Sequence, residues 1–121
     1  MSKVIFESTA DGSHTLYVPE LDEHYHSTNG AVQESNHVFI EAGLKYINKQ
    51  SINILEIGFG TGLNALLTLS KQANKVINYC SFELYPLPLS LIEKLNYPTL
   101  IDENLHDTFL RMHQQEWDQQ T

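Results

Sequence analysis

The 121-residue sequence is short of cysteine, of basic residues and of long apolar runs. Its single cysteine, Cys80, excludes an internal disulfide; lying in the apolar run Val76 to Phe82 with no activated-thiol motif around it, it reads as a small buried thiol. No apolar run approaches the ~20 residues that a membrane span requires, and the N-terminal Met1 to Glu7 turns polar by Ser8, too soon for a secretory core. The expectation is a cytoplasmic protein with no membrane contact. Seven Lys and Arg stand against 15 Asp and Glu, a net charge of −8, which is awkward for binding nucleic acid unaided. Metal chemistry also lacks its signature. The six histidines, at 14, 24, 26, 37, 106 and 113, include His24-x-His26, but no cysteine pair or second cluster at ligand spacing accompanies it.

What is present is a chain of alternating strand and helix signals. Asp11-Gly12 is a turn dipeptide between two β-prone runs, so Val4 to Pro19 reads as a hairpin, an accessory ribbon followed by irregular sequence from Leu21 to Gly30. Ile40, Leu44 and Ile47 then fall at helical spacing, predicting a helix over 33–48. The apolar run 51–57 is a strand, Leu63, Leu66, Leu67 and Ala73 mark a helix, and 76–82 is a second strand. Two near-continuous apolar strands joined by a helix predict a parallel βαβ unit with both faces covered, and hence the α/β class. Pro86 and Pro88 suit the first turn of a short helix that carries Leu89, Ile92 and Leu95 and stops at Asn96-Tyr97-Pro98. A last helix is expected from about Glu103 to Trp117.

The chemistry lies between the first of these strands and its helix, in Ile54-Leu55-Glu56-Ile57-Gly58-Phe59-Gly60-Thr61-Gly62. Glycines after a βαβ strand let a ligand touch the backbone. The spacing G-x-G-x-G departs from the dinucleotide fingerprint, because Leu63 stands where a further small residue is required. A triphosphate loop is absent too, since the first lysine after the turn is Lys71. An adenosine cofactor that carries cations instead of phosphates, S-adenosylmethionine, remains, and Glu56 at the strand end is its electrostatic partner. Glu83 ends the second strand 25 residues after Gly58, near the ~20-residue offset at which an acid accepts hydrogen bonds from ribose. Its competing reading is an acid complementing a helix N-terminus.

Three segments carry a family resemblance: Asp22-x-x-Tyr25-His26-Ser27-x-x-Gly30-Ala31-x-x-Glu34-Ser35-x-x-Val38-Phe39-Ile40, the glycine turn extended through Leu63-Asn64, and Ser81-Phe82-Glu83-x-x-Pro86. In these the chain resembles the bacterial wobble-uridine methyltransferases, free-standing as MnmD or forming the N-terminal domain of MnmC. The resemblance implies a partial Rossmann-like class I methyltransferase fold, with 1–30 as hairpin and cofactor-lining loop and 31–121 as the front half of the methyltransferase domain. It implies methyl transfer from S-adenosylmethionine to 5-aminomethyl-2-thiouridine at tRNA position 34, with an oxidoreductase as the supplier of the aminomethyl substrate. By the same resemblance Glu56, Gly58, Phe59, Gly60, Thr61, Gly62, Asn64 and Glu83 hold the cofactor, and Tyr25, Ser27, Gly30 and Glu34 line the pocket opposite; a loop and helix cap is the plainer reading of those four. The catalytic residue and the tRNA-facing surface are expected downstream of Thr121, so the chain reads as a fragment. A small-molecule methyltransferase, an aminopropyltransferase and a non-catalytic cofactor-binding fragment are the competing readings.

Overall fold

The computed structural model describes residues 3–117; Met1 and Ser2, part of the N-terminal segment read above, and residues 118–121 lie outside it. The Asp11-Gly12 turn, with Gly12 at φ 85°, joins strand β1 (Ile5–Ser8) to β2 (His14–Val18) in the antiparallel register Ile5↔Tyr17 to Ser8↔His14. The stretch expected to be irregular adds a third, two-residue strand, β3 (Glu23–His24), against β2.

The ribbon is more than an accessory. Its turn caps helix α1 (Ala31–Ser35): the amides of Ala31, Val32 and Gln33 donate to Thr9 Oγ1 (3.1 Å), Ser13 Oγ (3.1 Å) and Asp11 Oδ2 (2.8 Å). Three of the amides that a helix start leaves unpaired thus find acceptors 19 or more residues away in sequence. Partial burial pushes the Asp11 carboxyl up, but donors from Ser13, Gln33 and Thr9 outweigh it and hold the pKa at about 2.

The single helix expected over 33–48 is instead three pieces. After α1 the chain widens into a π-helical segment, Asn36–Glu41, and then a 3-10 turn, Leu44–Tyr46. Ala42 N–H donates to His37 O, five residues back, and Gly43 then interrupts the helix.

Strand β4 (Ser51–Ile57), helix α2 (Leu63–Ser70) and strand β5 (Val76–Phe82) form the expected βαβ unit, with β4 and β5 parallel from Ser51↔Val76 to Ile57↔Phe82. Burial along both strands alternates, which corrects the expectation of two covered faces. Ile52 is buried, whereas Leu55 is 67% and Ile57 78% exposed, and Cys80, expected buried, is exposed on the open face.

Two helices follow where one was expected. Pro88 precedes α3 (Leu89–Ile92) as its cap, leaving Pro86 outside, and Pro98 stands in the first turn of α4 (Tyr97–Ile101) instead of ending a helix. The last helix is shorter than expected: a 3-10 turn, Glu103–Leu105, capped by Asp102, leads into α5 (His106–His113). The core joins Leu16 of the ribbon, Ile40, Leu63 and Leu66 of α2, Ile92, Tyr97 and Phe109, all fully buried. Among the described residues no helix is long and apolar enough to cross a membrane.

Candidate functional site

A parallel strand ends with its carbonyls and amides aimed at whatever follows it, and β4 ends at the glycine turn. Gly58 N–H and Phe59 N–H both donate to Phe82 O of β5 (2.7 and 3.1 Å), which ties the turn to the neighbouring strand end. A cleft of about 250 Å³ opens over this turn. Its lining brings together Tyr25, Glu34, Gly58, Phe59, Gly60, Thr61 and Asn64 of the expected set, and adds His26, Ser35 and Phe39. This volume lies just below the roughly 300–1,000 Å³ typical of small-molecule pockets.

The three glycines have different jobs. A Cβ on Gly58 (φ 91°) would meet nothing within 4 Å, so its bare backbone faces open space. On Gly62 (φ 78°), the cap of α2, a Cβ would stand 2.7 Å from His113 Nε2 and 3.0 Å from the Phe59 ring, so this glycine lets α5 close on the turn. Gly60 lies against the Tyr25 ring.

Three carboxylates converge around the turn. Glu83, at the end of β5, accepts from Gly60 N–H with one oxygen (2.6 Å) and from Tyr85 N–H with the other (3.0 Å). A carboxylate offers about four lone-pair positions, so further donors can be taken while the turn stays braced. Glu56 lies beside the cleft rather than in its lining, in a contiguous groove along β4. Burial raises the Glu56 pKa, opposed by donors from Ser81 Oγ (2.8 Å), Tyr79 and Asn64 Nδ2 (3.3 Å). Glu34 is on α1, across from the turn. Asn64 Oδ1 is buried with no hydrogen-bond partner among the described residues, an acceptor that a donor-bearing ligand would satisfy.

Of the other expected residues, Gly62 and Glu83 brace the turn from outside the cleft lining, and Ser27 and Gly30 also lie outside it. Ser27 accepts from Asn29 N–H in the preceding loop, and Gly30 packs on Asp11 at the start of α1. Gly30 is the cap residue of α1, and Ser27 lies in the loop before it.

The histidines His26 and His113 were not anticipated as site residues, yet they hold the turn from two sides. His26 Nε2 lies 2.7 Å from Thr61 Oγ1, and His113 Nε2–H donates to Thr61 O (2.9 Å). Burial lowers both pKa values from 6.5 to about 4, so both rings are neutral at pH 7. His113 stacks edge-on against Phe59 and Phe109, each with centroids 5.0 Å apart, which extends the clamp into the core. The one sequence signal for this ring is the four-residue spacing of Phe109 and His113, which puts both on one face of α5. No group of three or more His, Cys, Asp or Glu among the described residues is arranged to hold a metal ion.

Fold and cleft define an α/β protein with a bare glycine turn at the C-terminal end of a parallel strand, flanked by acidic and aromatic side chains. The proteins it is similar to are enzymes of tRNA modification by name. The chain is 33% identical over 92 residues to the "tRNA 5-methylaminomethyl-2-thiouridine biosynthesis bifunctional protein MnmC" of Magnetococcus marinus, a match covering 69% of this chain and 14% of that protein. The protein of the same name from Burkholderia multivorans is 42% identical over 57 residues, 45% of this chain and 9% of its own length. Among solved structures, MnmC2 from Aquifex aeolicus superimposes with a TM-score of 0.75 at 31% identity, covering 92% of this chain and 38% of that one. The chain therefore corresponds to a minor part of each of these relatives. No family model matches it.

Proposed function

We propose that the chain is the donor-holding part of an S-adenosylmethionine-dependent methyltransferase of tRNA wobble-uridine modification, whose reaction converts 5-aminomethyl-2-thiouridine to 5-methylaminomethyl-2-thiouridine. The observation that carries the reading is the turn itself: a glycine backbone facing open space, between the acidic ends of two parallel strands, in a chain similar to MnmC over most of its length.

The residues fit such a donor. Bound there, S-adenosylmethionine would supply an electrophilic methyl group on a sulfonium. Gly58 leaves the backbone approachable, Glu56 and the unpartnered Asn64 Oδ1 offer acceptors to a cationic amino group, and Glu83 has lone pairs left for ribose hydroxyls. Tyr25 and Phe39 offer aromatic surface in the cleft lining against which an adenine ring could pack. An amine must be neutral to be methylated, and the proton acceptor that keeps it so belongs, on this reading, to sequence outside this chain. The tRNA-binding surface belongs there too, together with any contact to an oxidoreductase that supplies the substrate amine.

Calorimetric titration of the chain with S-adenosylmethionine tests the donor site. Binding should be detectable and weakened at least about tenfold by Glu83→Ala, the loss expected from about 1.4 kcal/mol. Absence of binding would count for an inert fragment. The net charge of −8 favours a second reading, a small-molecule methyltransferase or aminopropyltransferase. Assay of a full-length protein containing this chain on hypomodified tRNA, with binding followed against salt, separates the two, because a tRNA enzyme must lose affinity steeply as salt rises.

A further inference from the structure

The net charge of −8 is unevenly distributed. Lys45-Tyr46-Ile47-Asn48-Lys49-Gln50 and Lys71-Gln72-Ala73-Asn74-Lys75 hold four of the 7 basic residues and none of the 15 acids. Apart from Tyr46, Ile47 and Ala73, every residue in these two segments is Lys, Asn or Gln. The rest of the chain is correspondingly more acidic than its net charge suggests.

The fold brings the two segments together. One leads into β4 and the other joins α2 to β5, and these strands start side by side at Ser51↔Val76. Lys75 Nζ donates to Ile47 O (2.7 Å), Val76 N–H to Gln50 O (2.8 Å) and the Gln50 side-chain amide to Asn74 O. Lys45 pairs with Glu41 (2.7 Å), and the Glu41 carboxyl, held below its ordinary range first by that hydrogen bond, also feels the charges of Lys71 and His37. Of the four lysines only Lys45 is in an ion pair among the described residues. Lys45, Lys49 and Lys71 are exposed, and Tyr46 between the first two is 82% exposed. A cation at a helix C-terminus is favourable, which accounts for Lys71 as the C-cap of α2, but neither Lys49 nor Lys75 stands at a helix end.

We infer that this end of the βαβ unit is a contact surface for the sugar-phosphate backbone of a folded RNA. Lys45, Lys49, Lys71 and Lys75 neutralise phosphates and release their counterions, the Asn48 amide donates to phosphate oxygens, and the Tyr46 ring offers a stacking surface to an unpaired base. Contacts of this kind position an RNA without reading its sequence. The glycine turn lies at the other end of β4, six residue rises or about 20 Å away, a span that one RNA arm can bridge. The choice of RNA rests on the function proposed above, and this surface is additional to the one placed there in sequence outside this chain. An acidic protein face would meet the lysines equally, but it makes no use of an exposed tyrosine set between them.

The test follows the fluorescence anisotropy of a labelled RNA hairpin of arbitrary sequence, titrated with this chain at salt concentrations from about 50 to about 200 mM. Binding should weaken steeply as salt rises. Lys49→Gln with Lys71→Gln should lower affinity about tenfold or more at the low-salt end and reduce the salt slope by about two, one for each lost phosphate contact. Tyr46→Ala should weaken binding at least about fivefold with the slope unchanged, the signature of lost stacking. Lys94→Gln, outside the two segments, should leave binding as it was, and all of these exposed substitutions should retain the circular-dichroism spectrum. No binding at low salt, a double variant that binds like the native chain, an equal loss from Lys94→Gln, or displacement of the RNA by polyglutamate at matched charge would each overturn the proposal. Because the hairpin is no methylation substrate, that failure is distinguishable from failure of the methyltransferase reading, which is decided on hypomodified tRNA.

Discussion

Lowering the pH should loosen the glycine turn before it affects the rest of the molecule, through the two histidines that hold Thr61. Each has its pKa lowered from 6.5 to about 4 by burial, so between these values the unfolded chain binds more protons than the fold does. Stability is then fully present above pH 6.5 and falls as the pH drops toward 4. At pH 5 the linkage amounts to about 2 kcal/mol for each ring, or about 4 kcal/mol for both, a large share of the roughly 5–15 kcal/mol typical of a domain. That figure is an upper bound, because local opening can hydrate a ring without global unfolding. Glu56 acts in the opposite sense: its raised pKa lets the fold take a proton more readily, which offsets part of the loss in acid. Urea unfolding followed by circular dichroism at pH 7, 6 and 5 measures the slope, in the native chain and in His26→Gln and His113→Gln. Glutamine keeps a hydrogen-bonding amide and cannot titrate, so each variant should remove about half of the pH dependence. Parallel profiles for the native and both variant chains would refute the assignment of neutral, buried imidazoles.

Other consequences are separable by simple measurements. Gly62→Ala should cost about 2 kcal/mol or more, from a left-handed backbone plus collision with His113 and Phe59, whereas Gly58→Ala, with open space around it, should cost only the ~1–2 kcal/mol of backbone strain; urea midpoints of the two variants compare them directly. Asp11→Ala removes the acceptor for Gln33 N–H and should destabilise the chain by about 1 kcal/mol at pH 7, a difference that vanishes as the pH falls through about 2, where the native carboxyl is itself protonated. Ser81→Ala deletes a donor to Glu56 and should push that carboxyl's titration further up, read from its carbon chemical shift against pH.

Local signals were legible where one residue type determines the backbone. Asp11-Gly12 marked the ribbon turn, and the apolar runs with the intervening glycines marked β4, α2 and β5. Failures came where tertiary contacts decide. The pattern Ile40, Leu44, Ile47 cannot distinguish an α-helix from one that widens at Asn36–Glu41, because both keep the same residues inward. Pro98 looks alike as a stop and as a first-turn residue until the chain before it is seen to have ended its own helix at Ile92. Alternating burial along β4 was invisible because both of its faces mix apolar and polar residues, Ile52 and Ile54 with Glu56 on one and Leu55 and Ile57 with Asn53 on the other. Within the candidate site the glycine turn and its acids could be read, while the histidine clamp could not, since it joins Thr61 to residues 35 and 52 positions away.

The segment after the ribbon, the end of β5 and α5 converge on one task, the immobilisation of a turn in which three of the five residues Gly58 to Gly62 lack side chains. Three glycines give a backbone that ligands can reach, but they also give it the largest conformational entropy to lose. The fold answers with bonds from outside: Phe82 O and the Glu83 carboxylate from β5, His26 after the ribbon, and His113 from α5. Gly62 is bare so that α5 can reach in, and Gly58 is bare with nothing yet against it. The turn is thus braced at Gly60 and Thr61 while the backbone at Gly58 stays open, at the point where the cleft over the turn meets the groove along β4.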